Sequence, residues 1–130
     1  MSKQLISSGS PWEPVVGYSR AVCIDNLIFI AGTTASTADG SVIGGDNAYE
    51  QAKAALNRIG AALTEAGATF ADVVQTRMFV TDISRWEEYG RAHGEVFKDI
   101  RPASSMIEVK QLIDPNLLIE IEAIAVRSTQ

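Results

Sequence analysis

The segment Leu118–Val126 reads L-I-E-I-E-A-I-A-V and constrains the fold more than any other part of the chain. Side chains alternate along a strand. Ile119, Ile121, Ala123 and Ala125 therefore share one face, and Glu120, Glu122, Ile124 and Val126 share the other. The segment is the strongest strand signal in the chain. Its two acids, with Cα atoms roughly 6.6–7 Å apart, then belong in a cleft or an interface.

The rest of the chain supplies the partners. Lys3–Ser7 is a short candidate strand, followed by a loop stiffened by Pro11 and Pro14. Arg20–Ile24 and Leu27–Ala31 form a hairpin signal around Asp25-Asn26, a pair that suits a type I′ turn. Gly32–Asp46 has no period and is either a binding loop or a surface excursion around an Asp39-Gly40 turn. It is a weak phosphate cradle, because it lacks G-K-[ST] and Asp46 would repel an anion.

Next, Ala52, Ala55, Leu56, Ile59, Ala62, Leu63 and Ala66 recur at helical spacing, with Asp46 or Asn47 as cap and Gly67 as terminator. The alanine-rich face and Gly60 predict close packing. Val73–Thr81 reads as a strand, with Val73, Gln75, Arg77 and Phe79 on one face and Val74, Thr76, Met78 and Val80 on the other. A second helix runs from Ser84 to Asp99, with Ser84 and Glu87 as a capping box. Its apolar stripe is Trp86, Tyr89, His93, Val96, Phe97 and Ile100. Ser104–Lys110 is a strand, and Asp114-Pro115-Asn116 turns the chain into Leu118–Val126.

The order β-β-β-α-β-α-β-β makes a single α+β domain over residues 1–130, a mixed sheet with two helices on one face. The other face is apolar too. Left bare it is a large exposed patch, so the expectation is a homo-oligomer whose open sheet faces meet.

Composition narrows the function classes. The net charge of −5 argues against a protein that grips nucleic acid by neutralising phosphates. One cysteine, Cys23, and one histidine, His93, leave no disulfide framework and no Cys- or His-rich metal site, so no metal is expected. The start of the chain lacks a signal-peptide pattern, and no apolar run is long enough for a membrane span. A cytoplasmic protein is the expectation.

Among candidate residues, Glu120 is either a general acid or base with its pKa raised by burial and by Glu122, or the partner of a cation such as Arg77, Lys110 or Arg127. Glu122 reads as structural. Arg77, mid-strand, is either an ion-pair partner or an anion anchor. Tyr18 is either a core tyrosine or a pocket hydroxyl. Cys23 reads as a core thiol, and His93 as a packed or half-exposed histidine.

Arg101–Val109 (R-P-A-S-S-M-I-E-V) followed by Ile119–Val126 (I-E-I-E-A-I-A-V) resembles the C-terminal signature of the Rid/YjgF family, the reactive intermediate deaminases. Val73–Asp82, Gly17–Val22 and Ile28–Thr33 fit in the same order, so the resemblance covers nearly the whole chain. It implies a chorismate-mutase-like homotrimer with clefts between subunits. It also implies cofactor-free hydrolysis of enamines and imines, in which an arginine holds the substrate carboxylate and a glutamate positions water.

On that resemblance the glutamate is Glu120, the pocket tyrosine is Tyr18, and the backbone at Gly32 and Thr33 lines the cleft. The family arginine falls at Ser104, so the chain resembles a subgroup without it. The often-cysteine position is Met106, a family serine is Ala31, and a cleft asparagine falls at Gly90. The ligand-binding set is therefore Tyr18, Gly32, Thr33, Ser104 and Met106, with Arg77 as a replacement cation.

Two functions follow from this reading. One is a RidA-like hydrolase of a small imine, enamine or carbonyl metabolite with an altered substrate range. The other is an inactive metabolite-binding module of the same fold. RNA cleavage, attributed to some relatives, is disfavoured by the charge.

Overall fold

Six strands and two helices follow the expected order in the computed structural model, which describes residues 2–128. The strands are β1 Lys3–Ile6, β2 Ala21–Ile24, β3 Leu27–Thr33, β4 Val73–Val80, β5 Ala103–Glu108 and β6 Ile119–Val126. The helices are α1 Ala48–Glu65 and α2 Trp86–Phe97. The sheet runs β1-β2-β3-β6-β4-β5, and only the β4–β5 pair is parallel. The segment with the strongest strand signal, β6, lies inside the sheet, flanked by β3 and β4.

Both helices cover one face. Ala52, Ala55, Leu56, Ile59 and Leu63 of α1 pack on Ile28, Ile30, Ile119, Ile121 and Ala123. Asn47 caps α1 by accepting from the Glu50 amide at 2.9 Å, and Gly67 ends it with φ of 78°. A Cβ on Gly60 would stand 2.9 Å from the Phe70 ring, so the helix seats against that ring only because the side chain is missing. Gln51 is fully buried, yet it donates to the Gly45 and Asn116 carbonyls and accepts from the Leu118 amide. It thereby ties α1 to the entry of β6. Cys23 is a core residue.

Several local expectations are corrected. Only Asp25 has positive φ in the β2–β3 turn, at 54°, so it is not type I′, which needs two such residues. Arg127 fixes the turn instead, donating from its amide to Asn26 and from its guanidinium to Asp25. Residues Glu13–Gly17 form a single π turn around a buried Glu13, which accepts from Ser7 and Ser8.

The cap before α2 is Asp82 rather than Ser84: its carboxylate accepts from the Ser84 amide at 3.1 Å and from the Ser84 hydroxyl. Residues Ile83–Arg85 form a 3₁₀ turn, and α2 begins only at Trp86. Trp86 is consequently exposed and leaves the apolar stripe, whereas Tyr89 and Phe97 are buried in it. In β4 a bulge between Val73 and Gln75 turns Val73 to the core and Val74 to solvent, the reverse of simple alternation. The Asp39-Gly40 segment is the surface turn of the two alternatives. Thr37 and Ser41 donate to Asp39 and hold its carboxyl down at about 2.

Candidate functional site

The uncovered face of the sheet carries a polar strip down its centre. β6 places Glu120 and Glu122 there, opposite Phe79 and Arg77 of β4. Arg77 and Glu122 close an ion pair at 2.6 Å. The sequence left Arg77 two roles; its charge is committed to Glu122 in the folded chain. Around this pair lie apolar side chains, with Phe29 43% exposed and Val126 and Val74 open to solvent.

Glu120 is held differently. β3 bulges between Ile30 and Thr33, where three steps of β3 match two of β6. The bulge brings Gly32 beneath the Glu120 side chain: a Cβ on Gly32 would lie 1.9 Å from Glu120 Oε2. Any side chain here would displace the carboxylate. Beyond the bulge Thr33 faces the core, its hydroxyl donating to the Ala31 carbonyl at 2.7 Å. Only the Thr33 backbone is left to line this face.

Arg20, read from the sequence only as the start of a strand, proves central. Its guanidinium is buried and donates to the Gly32 carbonyl. Its Nε has no hydrogen-bond partner among the described residues. Burial lowers its pKa, Arg58 adds to that, and Tyr18, Glu13 and Glu120 oppose it. A buried guanidinium stays charged in proteins, so Arg20 is a fixed cation on the Gly32 carbonyl whose charge acts on Glu120. Burial pushes the Glu120 carboxyl above its ordinary range; Glu122 adds to the rise and Arg20 works against it. Since Arg77 sits on Glu122, burial is the cause that counts. Tyr18 follows the π turn, partly exposed, within the same electrostatic neighbourhood.

Ser104 and Met106 lie elsewhere. In register with Thr76 and Met78 of β4, they point toward the helix side of the sheet. Thr76 is buried and donates to Ser104 Oγ at 2.8 Å, and its oxygen lies 2.8 Å from His93 Nε2 on α2. His93 tilts against the Phe97 ring, and burial lowers its pKa. Met106 packs on the edge of the core. Gly90 lies under the exposed Trp86 ring.

The expected residues thus form two groups on opposite faces. Glu120, Gly32 and Arg77, with Arg20, belong to the open face, and Tyr18 lies near Arg20; Ser104 and Met106 belong to the β5 edge on the helix side. A sheet separates them, so a single chain cannot gather them into one pocket. The depression on the open face, about 200 Å³ between Phe29, Arg77, Glu122 and Ile124, does not include Glu120. It is also smaller than the roughly 300–1,000 Å³ of ordinary ligand pockets. No helix is long and apolar enough to cross a membrane among the described residues.

Comparison with known proteins places this geometry. The family model described as endoribonuclease L-PSP matches residues 9–127. A crystal structure of a Mycobacterium tuberculosis protein, a member of the YjgF/YER057c/UK114 family, superposes with a TM-score of 0.87 at 53% identity, covering 96% of this chain and 99% of that one. A RutC family protein of Pyrococcus abyssi is 34% identical over 126 residues, 96% of this chain and 98% of its own length. The human 2-iminobutanoate/2-iminopropanoate deaminase is 32% identical over 126 residues, 96% of this chain and 90% of its own length.

Proposed function

This chain belongs to the endoribonuclease L-PSP family of YjgF and RutC proteins, and on that premise we propose that it hydrolyses a small imine- or enamine-type metabolite in a cleft between copies of itself. The assembly is a homotrimer in the cytoplasm. The open face of one subunit supplies Glu120, Tyr18 and the Gly32 backbone, and the β5 edge of its neighbour supplies Ser104 and Met106. The observation that carries the reading is the half-buried Glu120 seated on Gly32, with its carboxyl pKa raised.

The chemistry is addition of water to a C=N bond. Glu120, as carboxylate, takes a proton from water while the oxygen attacks the imine carbon. Glu120 returns that proton to the imine nitrogen to give a carbinolamine; the carbinolamine's hydroxyl proton then passes to the amine as the C–N bond breaks, releasing the carbonyl product and ammonia. Tyr18 donates a hydrogen bond to the polarised substrate. No metal or organic cofactor enters these steps. A carboxyl pKa nearer neutrality suits a group that must both take and return a proton.

Substrate range differs from relatives that grip a carboxylate with arginine. Ser104 occupies that position, and a lost charge-assisted hydrogen bond weakens binding by about 10–100-fold. That substitution also favours a second reading, in which the cleft binds its metabolite without turning it over.

The test is hydrolysis of 2-iminobutanoate, generated in the assay, by the wild type and by Glu120→Gln. Acceleration by the wild type, with a loss of at least about a hundredfold in the variant, is expected. Equal rates would remove Glu120 from the reaction. Thermal stabilisation by 2-oxobutanoate with no turnover would favour the binding module.

A further inference from the structure

The hydrogen bonds running from α2 through β4 to β5 carry an inference that deepens the proposed function and rests on it. A threonine hydroxyl has one proton and accepts with its lone pairs. Thr76 spends that proton on Ser104 Oγ, at 2.8 Å. Its contact with His93 Nε2, also 2.8 Å, must then be one in which Thr76 accepts. The histidine therefore carries its proton on Nε2. Ser104 in turn accepts from Thr76, which leaves its own hydroxyl proton free. Ser104 is exposed on the edge strand of the sheet, so that proton is available to a partner at the β5 edge.

We propose that His93 and Thr76 are positioning residues that orient Ser104 as a hydrogen-bond donor to a carboxylate or carbonyl oxygen of the ligand. The polarity of such a chain is set at its buried end, because each donor strengthens the next along the line. Thr76 is fully buried and cannot exchange its partners for water. His93 is backed by Phe97, with ring centroids 4.6 Å apart, so the imidazole is held against an aromatic surface. Three residues from three elements thus build a neutral donor at the place where a cation would otherwise meet the ligand. The class of ligand follows: it must offer an oxygen acceptor for the Ser104 proton at this edge.

His93 is the only histidine in the chain, which makes its ring nitrogens directly readable by ¹⁵N-detected long-range NMR. The whole chain is measured at pH 8 in its native assembly, with 2-oxobutanoate as the probe ligand. The expected result is the Nε2–H form in the wild type. Ser104→Ala and Thr76→Val should each weaken 2-oxobutanoate binding by about tenfold. Their effects should fail to add, and Thr76→Val should also release His93 into a mixture of tautomers. Thr76→Ser should restore both signals.

A wild-type protein with its proton on Nδ1 overturns the relay, whatever its catalytic activity. Unchanged 2-oxobutanoate affinity in Thr76→Val overturns it as well. A protein that keeps Nε2–H but never binds 2-oxobutanoate overturns the assigned ligand class, and the proposed substrate with it.

Discussion

Gly32 and Glu120 share one volume of space, and the account at the scale of single residues turns on that sharing. The atom a Cβ would strike at 1.9 Å is the tip of a flexible side chain, not backbone. Gly32→Ala should therefore leave the fold nearly as stable, with a melting temperature within a few degrees of the wild type, while cutting activity at least about tenfold by moving the carboxylate. A variant that kept its activity would show that the carboxylate needs no fixed seat.

The raised pKa of Glu120 has a signed consequence for stability. The native state holds this proton more tightly than the unfolded chain, whose glutamate titrates near 4.5. Stability should fall as pH rises from that value through the native pKa, then stay level. Glu120→Gln should lack this loss and be at least as stable as the wild type at pH 8, a comparison thermal melts at pH 4 and pH 8 decide. Activity, which needs the carboxylate, should rise with pH over the same interval, and Arg20→Gln should shift that rise to higher pH. Glu120 was legible in the sequence because strand alternation fixes its face. Arg20 was not: nothing local to G-Y-S-R-A-V shows that its guanidinium folds beneath a bulge on another strand.

At the scale of elements, period-2 and helical patterns identified every strand and both helices, because side-chain burial imposes those periods directly. The misses lie where neighbouring elements decide. The bulge in β4 reverses Val73 and Val74, and a bulge is a choice of register with β6 that no single strand records. Asp82 took the cap from Ser84 because its carboxylate reaches the Ser84 amide and closes a 3₁₀ turn first. His93, Thr76 and Ser104 meet although they lie on three elements, so no spacing announces them. Close packing at Gly60 was legible, and it sets a prediction. Alanine there gains about 1 kcal/mol of helix propensity. It also puts a methyl 2.9 Å from the Phe70 ring, and overpacking of this kind costs about 1–3 kcal/mol. Gly60→Ala should be net destabilising in denaturant melts; a stabilised variant would mean that Phe70 yields freely.

At the scale of the whole molecule, one face of the sheet is covered by α1 and α2, and the other presents Phe29, Val74 and Val126 beside a charged strip. That exposed apolar surface supports the proposed association, in which a neighbour would bring its β5 edge to the Glu120 face. The open face was legible from the count of helices and the pattern of strands. That Ser104 and Met106 lie on the opposite face was not, because that depends on which way β5 turns its side chains in register with β4.

The claim everything else needs is that Glu120 completes its site only against a second copy of the chain. Sedimentation equilibrium on the purified protein at micromolar concentration tests it most directly. The account predicts a single species of three times the 14.0 kDa chain mass, and a stable monomer with full hydrolytic activity would contradict it.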